Sequence, residues 1–319
     1  MPCICSMQLL IALSLMALIT HASGQSKVVL YGNIDLGIVV EKDSSARIDP
    51  GYNNWIGFSG EENLGTGFSA LFNVQARFNP DTGQQERPST FFQGETTVGL
   101  KSTSAGTVRL GRALSPLWAN VWAYEPWLNS GFNASLSAYQ TGSYSSDGVN
   151  DVALDFANFS RISNAVFYRT PEFSGFTVDV ASEIEEAANA DARVMGTSVN
   201  YARGPFGAML SYERNANRDD IYFLGASYRM GTSTIMGSYS ENDQVNVGRE
   251  RVYLVAGTYT FNAHMIRGGY GRNRETKNDK LSVGYVYNLS KRTNIYADLY
   301  RERITTGRDG AALGMNHTF

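Results

Sequence analysis

The sequence has few cysteines, no long apolar run beyond its first residues and no excess of either charge. Both cysteines, Cys3 and Cys5, lie within the first five of 319 residues. After Thr20 no apolar stretch approaches the roughly 18 residues that a membrane-spanning helix needs, which excludes a helical membrane protein. The chain carries 27 basic and 30 acidic residues, for a formal net charge of −3. Proteins that bind nucleic acid usually show a strong basic excess, so we expect no nucleic-acid partner.

The one apolar run lies at the start of the chain. Met7–Thr20 is almost wholly apolar and is followed by the small residues of "HASGQS". The run is too short to cross a bilayer but suits the apolar core of a secretory signal, although no Lys or Arg precedes it. We therefore expect residues 1–24 to be a signal peptide, with cleavage before Gln25. The remaining chain, 25–319, then has no cysteine and must be stabilised without disulfides.

From Lys27 to the end, short segments alternate apolar and polar residues between clusters of Gly, Asn, Asp and Ser. In "FSALFNVQARF", for example, Phe68 and Phe72 share one face with Val74, and Asn73 shares the other with Arg77. We count about sixteen such segments of roughly ten residues, the length that a tilted strand needs to cross an outer membrane. The polar face carries Asn, Gln, Arg, Asp and Glu, which the core of a soluble sandwich could not bury unpaired. The pattern therefore favours an all-β fold, a transmembrane antiparallel β-barrel of about 16 strands, over a soluble sandwich or propeller.

Tyrosine is abundant, at 18 residues, and often lies near the ends of these segments. Amphipathic rings at strand ends suit the two interfaces of a bilayer, although tyrosine is also a good strand former in any sheet. The residues at such positions are Tyr201, Tyr212, Tyr222, Tyr239, Tyr259, Tyr270, Tyr287 and Tyr300.

The chain ends on an alternating segment, "AALGMNHTF", whose last residue is Phe319. A terminal strand frays unless it is paired. We expect it to pair with the first strand, "KVVLYGNIDLG", and so to close the barrel.

Six segments in this order resemble the trimeric general porins of Gram-negative outer membranes, in the branch typical of beta-proteobacteria. They are "QSKVVLYGNIDLGI" (25–38), "IGFSGEENLGTGFSALFNVQ" (56–75), "VGLKSTSAGTVRLGR" (98–112), "RISNAVFYRTPEFSGFTV" (161–178), "YNLSKRTNIYADLY" (287–300) and the terminal "HTF". The resemblance implies sixteen strands, a homotrimer in the outer membrane, and passive diffusion of small hydrophilic solutes and ions. It also implies that Phe319 belongs to a signal read by the barrel-assembly machinery, and that lipid and lipopolysaccharide surround the barrel.

The resemblance further implies a long third external loop that folds into the lumen and narrows it. That loop corresponds to residues 113–160, the longest stretch without clean alternation, and it holds three of the four tryptophans. Loops of this length are usually functional or disordered, and an aromatic-rich composition argues against disorder.

A diffusion channel needs charges at its narrow point rather than a nucleophile. In the family that the sequence resembles, the loop supplies acids and the barrel wall supplies bases. The basic wall candidates are Arg77, Lys101, Arg109, Arg112 and Arg161. The acidic candidates are Asp35, Glu95, Glu125, Asp147, Asp151 and Asp155. Each could instead be an ordinary rim or loop charge; Arg112 and Arg161, at family motif positions, favour the functional interpretation.

Two positions depart from the family pattern. Trp55 stands where relatives usually have Arg, and Gly94 replaces a second Arg and is followed by Glu95. Two wall cations are thus missing and one acid is added, which weakens the expectation of an anion preference.

The tryptophans allow two interpretations. If Trp55 faces the lumen, it could form an aromatic constriction with Trp118, Trp122 or Trp127, and such a channel would select flat or sugar-like solutes. The favoured alternative is that the loop tryptophans pack the loop against the wall or at a subunit contact, since large aromatic side chains most often serve packing.

Other chemistries have little support in the sequence. The three histidines, His21, His264 and His317, are scattered, so we expect no metal site and no cofactor. Catalytic and phosphate-binding motifs are absent, which leaves an outer-membrane enzyme unsupported. A soluble carbohydrate-binding β domain would differ by not requiring detergent. We expect the chain not to be an enzyme.

Overall fold

The computed structural model describes residues 27–51, 53–87, 90–128, 134–148, 160–184, 192–304 and 307–319. Within these ranges the chain forms eighteen strands, two of them very short. The long strands are β1 (Lys27–Glu41), β3 (Trp55–Gly65), β4 (Phe68–Asn79), β6 (Glu95–Ser102), β7 (Gly106–Leu114), β8 (Arg161–Arg169), β9 (Phe176–Glu183), β10 (Met195–Arg203), β11 (Phe206–Arg214), β12 (Asp220–Met230), β13 (Ser233–Gln244), β14 (Gly248–Phe261), β15 (His264–Asn273), β16 (Asp279–Asn288), β17 (Thr293–Arg303) and β18 (Arg308–Thr318). The short ones are β2 (Arg47–Asp49) and β5 (Gln84–Gln85).

Helical structure is limited to two single turns, Val121–Tyr124 and Ala138–Thr141. In the part of the chain that the structure describes, neither helix is long and apolar enough to cross a membrane.

The long strands close into one antiparallel barrel. Strand β1 pairs with β3 from Lys27↔Glu61 to Asn33↔Trp55, and on its other edge with β18 from Asn33↔Thr318 to Glu41↔Gly310. The seam continues to the last residue, because Phe319 and Gly32 exchange two backbone hydrogen bonds of 3.0 and 3.1 Å. A closed barrel leaves no unpaired edge, which is what backbone groups in lipid require. The predicted sixteen-strand barrel and the pairing of its first and last strands are both confirmed.

The two ends of the barrel differ in their connections. At one end, here called the turn end, strands are joined by tight turns such as Arg203–Phe206 and Met230–Ser233. At the other, the loop end, the connection between β7 and β8 runs from Leu114 to Arg161. In outer-membrane barrels, short turns face the periplasm and long loops face the outside.

The predicted alternation sets the two faces of the wall. In β16, Leu281 and Val283 are 53% and 51% exposed, whereas the intervening Ser282 is fully buried and Lys280 is 6% exposed. Apolar side chains therefore face outward and polar ones face the lumen, the reverse of a soluble domain.

Aromatic rings mark both ends of the outer face. Tyr222 and Tyr228 of β12 both point outward, and at about 3.4 Å per residue their Cα atoms are roughly 20 Å apart, close to the height of a lipid-facing band. Each stacks against a ring on β11: Tyr212 at 5.0 Å and Phe206 at 4.6 Å between centroids. Tyr300 is an exception to the predicted interface positions: it is buried on the lumen side, where its hydroxyl donates to Glu41.

The apolar core lies inside the barrel, between the wall and the described residues of 113–160. Trp127, Leu136 and Tyr139 cluster with Met236 and Leu254, which point inward from β13 and β14. A second cluster joins the loop to β11 and β12; its members are Leu117, Trp118, Val121, Tyr124, Tyr144, Met209, Ile221 and Phe223. The described parts of this segment therefore pack against the inner wall.

Candidate functional site

A buried carboxylate organises the middle of the 113–160 segment. Glu125 is 1% exposed and accepts hydrogen bonds from the backbone N–H groups of Trp127, at 2.9 Å, and Leu136, at 2.7 Å. The Ser135 hydroxyl donates to the same carboxylate at 3.2 Å. Glu125 was predicted to be an acid of the narrow point. Its carboxylate is instead occupied by the loop's own donors, although the residue contributes to the lining of a lumen cavity.

Trp127 fixes the tip of the segment to the far wall. Its indole Nε1 donates to Asp298 Oδ1 of β17 at 3.0 Å, and Arg267 of β15 pairs with the same carboxylate at 2.7 Å. The Arg267 guanidinium also lies over the Trp127 ring, 4.9 Å from its centroid, and donates to the Pro126 carbonyl at 3.4 Å. The interpretation that loop tryptophans attach the loop to the wall is thus correct for Trp127.

Other wall carboxylates bind the same segment. The Tyr139 hydroxyl donates to Glu302 at 3.2 Å, and Ser143 donates its N–H and hydroxyl to Glu250 at 2.8 and 2.7 Å. Burial, followed by the charge of the adjacent Glu302, raises the pKa of Tyr139 above its ordinary value. The phenol consequently remains a neutral donor at physiological pH. Glu302 and Glu250 of the wall therefore hold the segment by accepting hydrogen bonds from uncharged groups.

Glu213 of β11 provides a further attachment. It accepts hydrogen bonds from Tyr144, at 3.3 Å, and from the Ser146 hydroxyl. Burial, then the charge of Glu213, raises the pKa of Tyr144 well above its usual range, and burial raises the pKa of Tyr124 to about 12.

Three arginines gather on the opposite side, where β4, β7 and β8 reach the loop end. Arg77 pairs with Glu86 at 2.5 Å, and Arg112 donates to the Gln93 carbonyl at 3.1 Å and to Ser163 at 2.7 Å. Arg161 donates to the Gly94 carbonyl and interacts electrostatically with both other guanidinium groups. The structure therefore brings together three of the five predicted basic residues, Arg77, Arg112 and Arg161.

The two remaining basic candidates lie elsewhere. Arg109 pairs with Glu95 at 2.5 Å, so the acid added in this sequence is matched by a wall cation. Lys101 faces the lumen near the turn end, where it pairs with Glu61 at 3.3 Å. Six residues of strand separate it from Glu95, about 20 Å at the usual rise. Lys101 is therefore not part of the arginine group, because alternation fixes the face of a strand residue but not its height.

Gly94 has a structural consequence of its own. Its carbonyl accepts a hydrogen bond from the Arg161 guanidinium. A Cβ at this position would lie 2.3 Å from the Gln75 side chain. The backbone at Gly94 thus helps to hold the Arg161 guanidinium in place.

The remaining acids divide into two groups. Asp147 interacts electrostatically with Arg112 and accepts the Ser145 hydroxyl at 2.5 Å. Asp35, 2% exposed, accepts the Tyr296 hydroxyl at 2.6 Å and the Gly51 N–H at 3.1 Å, so it anchors the first external loop. Asp151 and Asp155 lie outside the described residues.

Two cavities in the described part of the lumen share lining residues, and the space between those shared side chains is here called the gap. The smaller, about 300 Å³, is lined by Arg77 and Arg161; the larger, about 670 Å³, by Asp35 and Arg267. The residues common to both linings are Trp55, Trp122 and Leu128. Trp118 also lines the smaller cavity and Trp127 the larger one.

Sequence reasoning missed Arg267, Asp298, Glu213 and Glu250, which hold the segment. The signal was present: in "NIYADLY" the alternation that turns Ile295 and Leu299 to lipid turns Asp298 inward in mid-strand. Among the described residues, no group of three or more His, Cys, Asp or Glu could hold a metal ion.

Comparisons with known proteins agree with this architecture. Outer membrane porin protein 32 of Delftia acidovorans is 28% identical over 335 residues, covering 96% of this chain and 91% of that protein. The structure of an anion-selective porin from Comamonas acidovorans superposes with a TM-score of 0.79 at 23% identity, covering 92% of this chain and all of that one. The trimer form of OmpT, an outer membrane protein of Vibrio cholerae, gives a TM-score of 0.70 at 14% identity, with 92% and 99% coverage.

A family model described as Gram-negative porin matches residues 10–307. That match spans nearly the whole chain and agrees with the closed barrel of sixteen long strands. The chain therefore belongs to the Gram-negative porin family, whose members are solute channels of the outer membrane.

Proposed function

We propose that the diffusion path of this porin is narrowest where residues 113–160 approach the arginines of β4, β7 and β8. The observation that carries this is the pair of lumen cavities that meet at Trp55, Trp122 and Leu128. The loop attachments to Glu213, Glu250 and Asp298 support a fixed rather than a swinging constriction, because each buries a carboxylate with its donors.

The charges favour a preference for small anions. Arg77 and Arg161 line the smaller cavity, and no carboxylate does so among its described lining residues. The wall acids Glu213, Asp298 and Glu302 line neither cavity, whereas Arg77 and Arg161 line the smaller one, although they are only 4% and 6% exposed. Fixed cations at a narrow, poorly solvated point raise the local concentration of anions. Glu95, matched by Arg109, does not cancel this effect.

We propose that the protein is a homotrimer. The external loop after β5 exposes two phenylalanines, Phe91 and Phe92, 62% and 38% exposed and stacked edge to face at 4.6 Å. An exposed aromatic pair outside the lipid-facing band is typical of a surface that another subunit covers.

Three further roles belong to the same proposal. The chain transports without covalent chemistry and is not an enzyme. Residues 1–24 are removed on export, which N-terminal sequencing of the mature protein would detect. The paired terminus at Phe319 serves assembly, and the outer aromatic rings contact lipid and lipopolysaccharide.

The test is single-channel recording of the detergent-folded protein in a planar bilayer under a KCl gradient. We expect stepwise conductance that closes in three levels. The reversal potential should lie closer to the equilibrium potential of chloride than to that of potassium. A folded barrel that passes no current would contradict the channel, and a reversal potential on the potassium side would contradict the anion preference.

A further inference from the structure

The gap between the two lumen cavities is formed by side chains from both the wall and the loop. Trp55 is the first residue of β3, and its strand register places it on the lumen side opposite the outward Ile56 and Phe58. Trp122 and Leu128 come from the loop and are 47% and 44% exposed. Aromatic side chains on a water-filled path offer a passing solute an apolar ring face, which polar lining does not.

The Trp122 ring is held in place. Trp122 lies in the short helical turn Val121–Tyr124, and its indole Nε1 donates to the carbonyl of Ala119, just before that turn, at 2.8 Å. The polar atom of the ring is thus used internally, and about half of the side chain's surface remains accessible. A ring oriented in this way presents an apolar face to a solute without the entropy cost of ordering it.

Cations lie on both sides of the gap. Arg77 and Arg161 line the smaller cavity, and Arg267 lines the larger one. Asp35 and Glu125, which also line the larger cavity, have carboxylates that accept hydrogen bonds from Tyr296 and from the loop backbone. Arg77 and Arg267 are themselves paired with Glu86 and Asp298, so a solute carboxylate would share these guanidinium groups with a wall acid. The hydrocarbon part of the solute would then lie against the tryptophans.

We propose that the gap between Trp55 and Trp122 is a recognition subsite for small carboxylates that carry a flat apolar face, such as aromatic acids. The inference rests on the proposed function, since it assumes that solutes pass this point. Both cavities fall within or near the roughly 300–1,000 Å³ of ordinary small-molecule pockets. The subsite adds a weak binding step to diffusion: the solute pauses at the ring face and then moves to the next cation.

The experiment measures the block of chloride current by added carboxylates. Benzoate supplies a flat ring with a carboxylate, cyclohexanecarboxylate a ring of similar size that is not flat, and acetate the carboxylate alone. We expect benzoate to block at a lower concentration than cyclohexanecarboxylate, and acetate to block least. Benzylammonium, a flat cation, is expected to block more weakly than benzoate.

Variants locate the effect. Trp122→Ala and Trp55→Ala, from opposite sides of the gap, should each raise the half-blocking benzoate concentration by about two- to tenfold, the value of one aromatic contact. Phe173→Ala is the matched control, because Phe173 is 79% exposed at the turn end and lines neither cavity. Its benzoate block should equal that of the wild type.

The outcomes separate the two levels of the proposal. No chloride current from the folded wild type would overturn the proposed function and this subsite with it. Normal current with equal block by benzoate and acetate, or with a benzoate block unchanged in both tryptophan variants, would overturn the subsite alone. Equal block by benzylammonium and benzoate would overturn its anionic character.

Discussion

The indole of Trp127 donates a hydrogen bond of 3.0 Å to Asp298, a residue 171 positions later in the chain, and Arg267 completes the contact from a third strand. This contact connects the inserted segment to the wall opposite the arginine group. The carboxylate is fully buried and the guanidinium nearly so. Position and stability of the loop should therefore depend on this one acid.

We predict that Asp298→Asn loosens the segment, because it leaves the buried Arg267 without a counter-charge. Removing one partner of a buried ion pair costs about 3–5 kcal/mol. Urea unfolding of the folded barrel in lipid vesicles should show a lower midpoint, and single channels should show added current fluctuations. Asp309→Asn, which breaks an exposed pair with Arg301, is the control and should change neither. If Asp298→Asn showed the urea midpoint and the current fluctuations of the wild type, the anchoring role of Asp298 would be contradicted.

The arginine group should set the ion preference. Arg77→Gln removes a cation that lines the smaller cavity and takes from Glu86 its ion-pair partner. The reversal potential in a KCl gradient should therefore shift towards the equilibrium potential of potassium. Lys101→Gln changes the chain's charge by the same amount at the turn end. It should produce a clearly smaller shift, and equal shifts in the two variants would contradict the location of the narrow point.

Trp55→Arg replaces an aromatic ring shared by both cavity linings with a cation. We expect a stronger preference for chloride, because a third cation would join Arg77 and Arg161 beside the smaller cavity. Benzoate block should weaken in the same variant, since one aromatic wall of the gap is lost. Unchanged selectivity in a folded variant would mean that Trp55 does not line the narrow point.

The barrel seam gives a prediction about assembly. A Cβ on Gly32 would lie 2.4 Å from the Phe319 ring and 2.7 Å from the Trp55 carbonyl oxygen, so Gly32→Ala must displace backbone or the terminal ring. Refolding yield into lipid vesicles should fall. Gly268→Ala is the control, because its Cβ would meet nothing closer than 3.6 Å. Equal yields for the two variants would show that the seam tolerates the displacement.

The wall was predictable from sequence because a strand has a period of two and lipid demands an apolar outer face. Leu281 and Lys280 fall on opposite faces as alternation requires, and closure at Phe319 follows from the need to pair a terminal strand. The position of Lys101 along its strand was also predictable, since it lies two residues before the turn formed by residues 103–105. Alternation alone grouped Lys101 with the constriction, whereas the structure places it near this turn, paired with Glu61.

The interior of the loop was not predictable in the same way. Glu125 has no local pattern that indicates whether it faces water or accepts backbone N–H groups, because its partners are chosen by how the chain folds back on itself. The contact between Trp127 and Asp298 joins residues that no local period relates. In the sequence, only the alternation of β17, which turns Asp298 towards the lumen, could have marked it as a candidate contact for the loop.

The most direct test of the conducting path uses the absence of cysteine beyond Cys5. Trp122→Cys in the mature protein provides a single thiol at the gap, and Phe173→Cys provides one outside both cavities. Single-channel conductance is recorded before and after a bulky, charged thiol reagent is added. We predict a stepwise, lasting fall in conductance for Trp122→Cys and none for Phe173→Cys. A Trp122→Cys channel that is fully labelled, as verified by mass, and still conducts as before would show that current does not pass between Trp55 and Trp122.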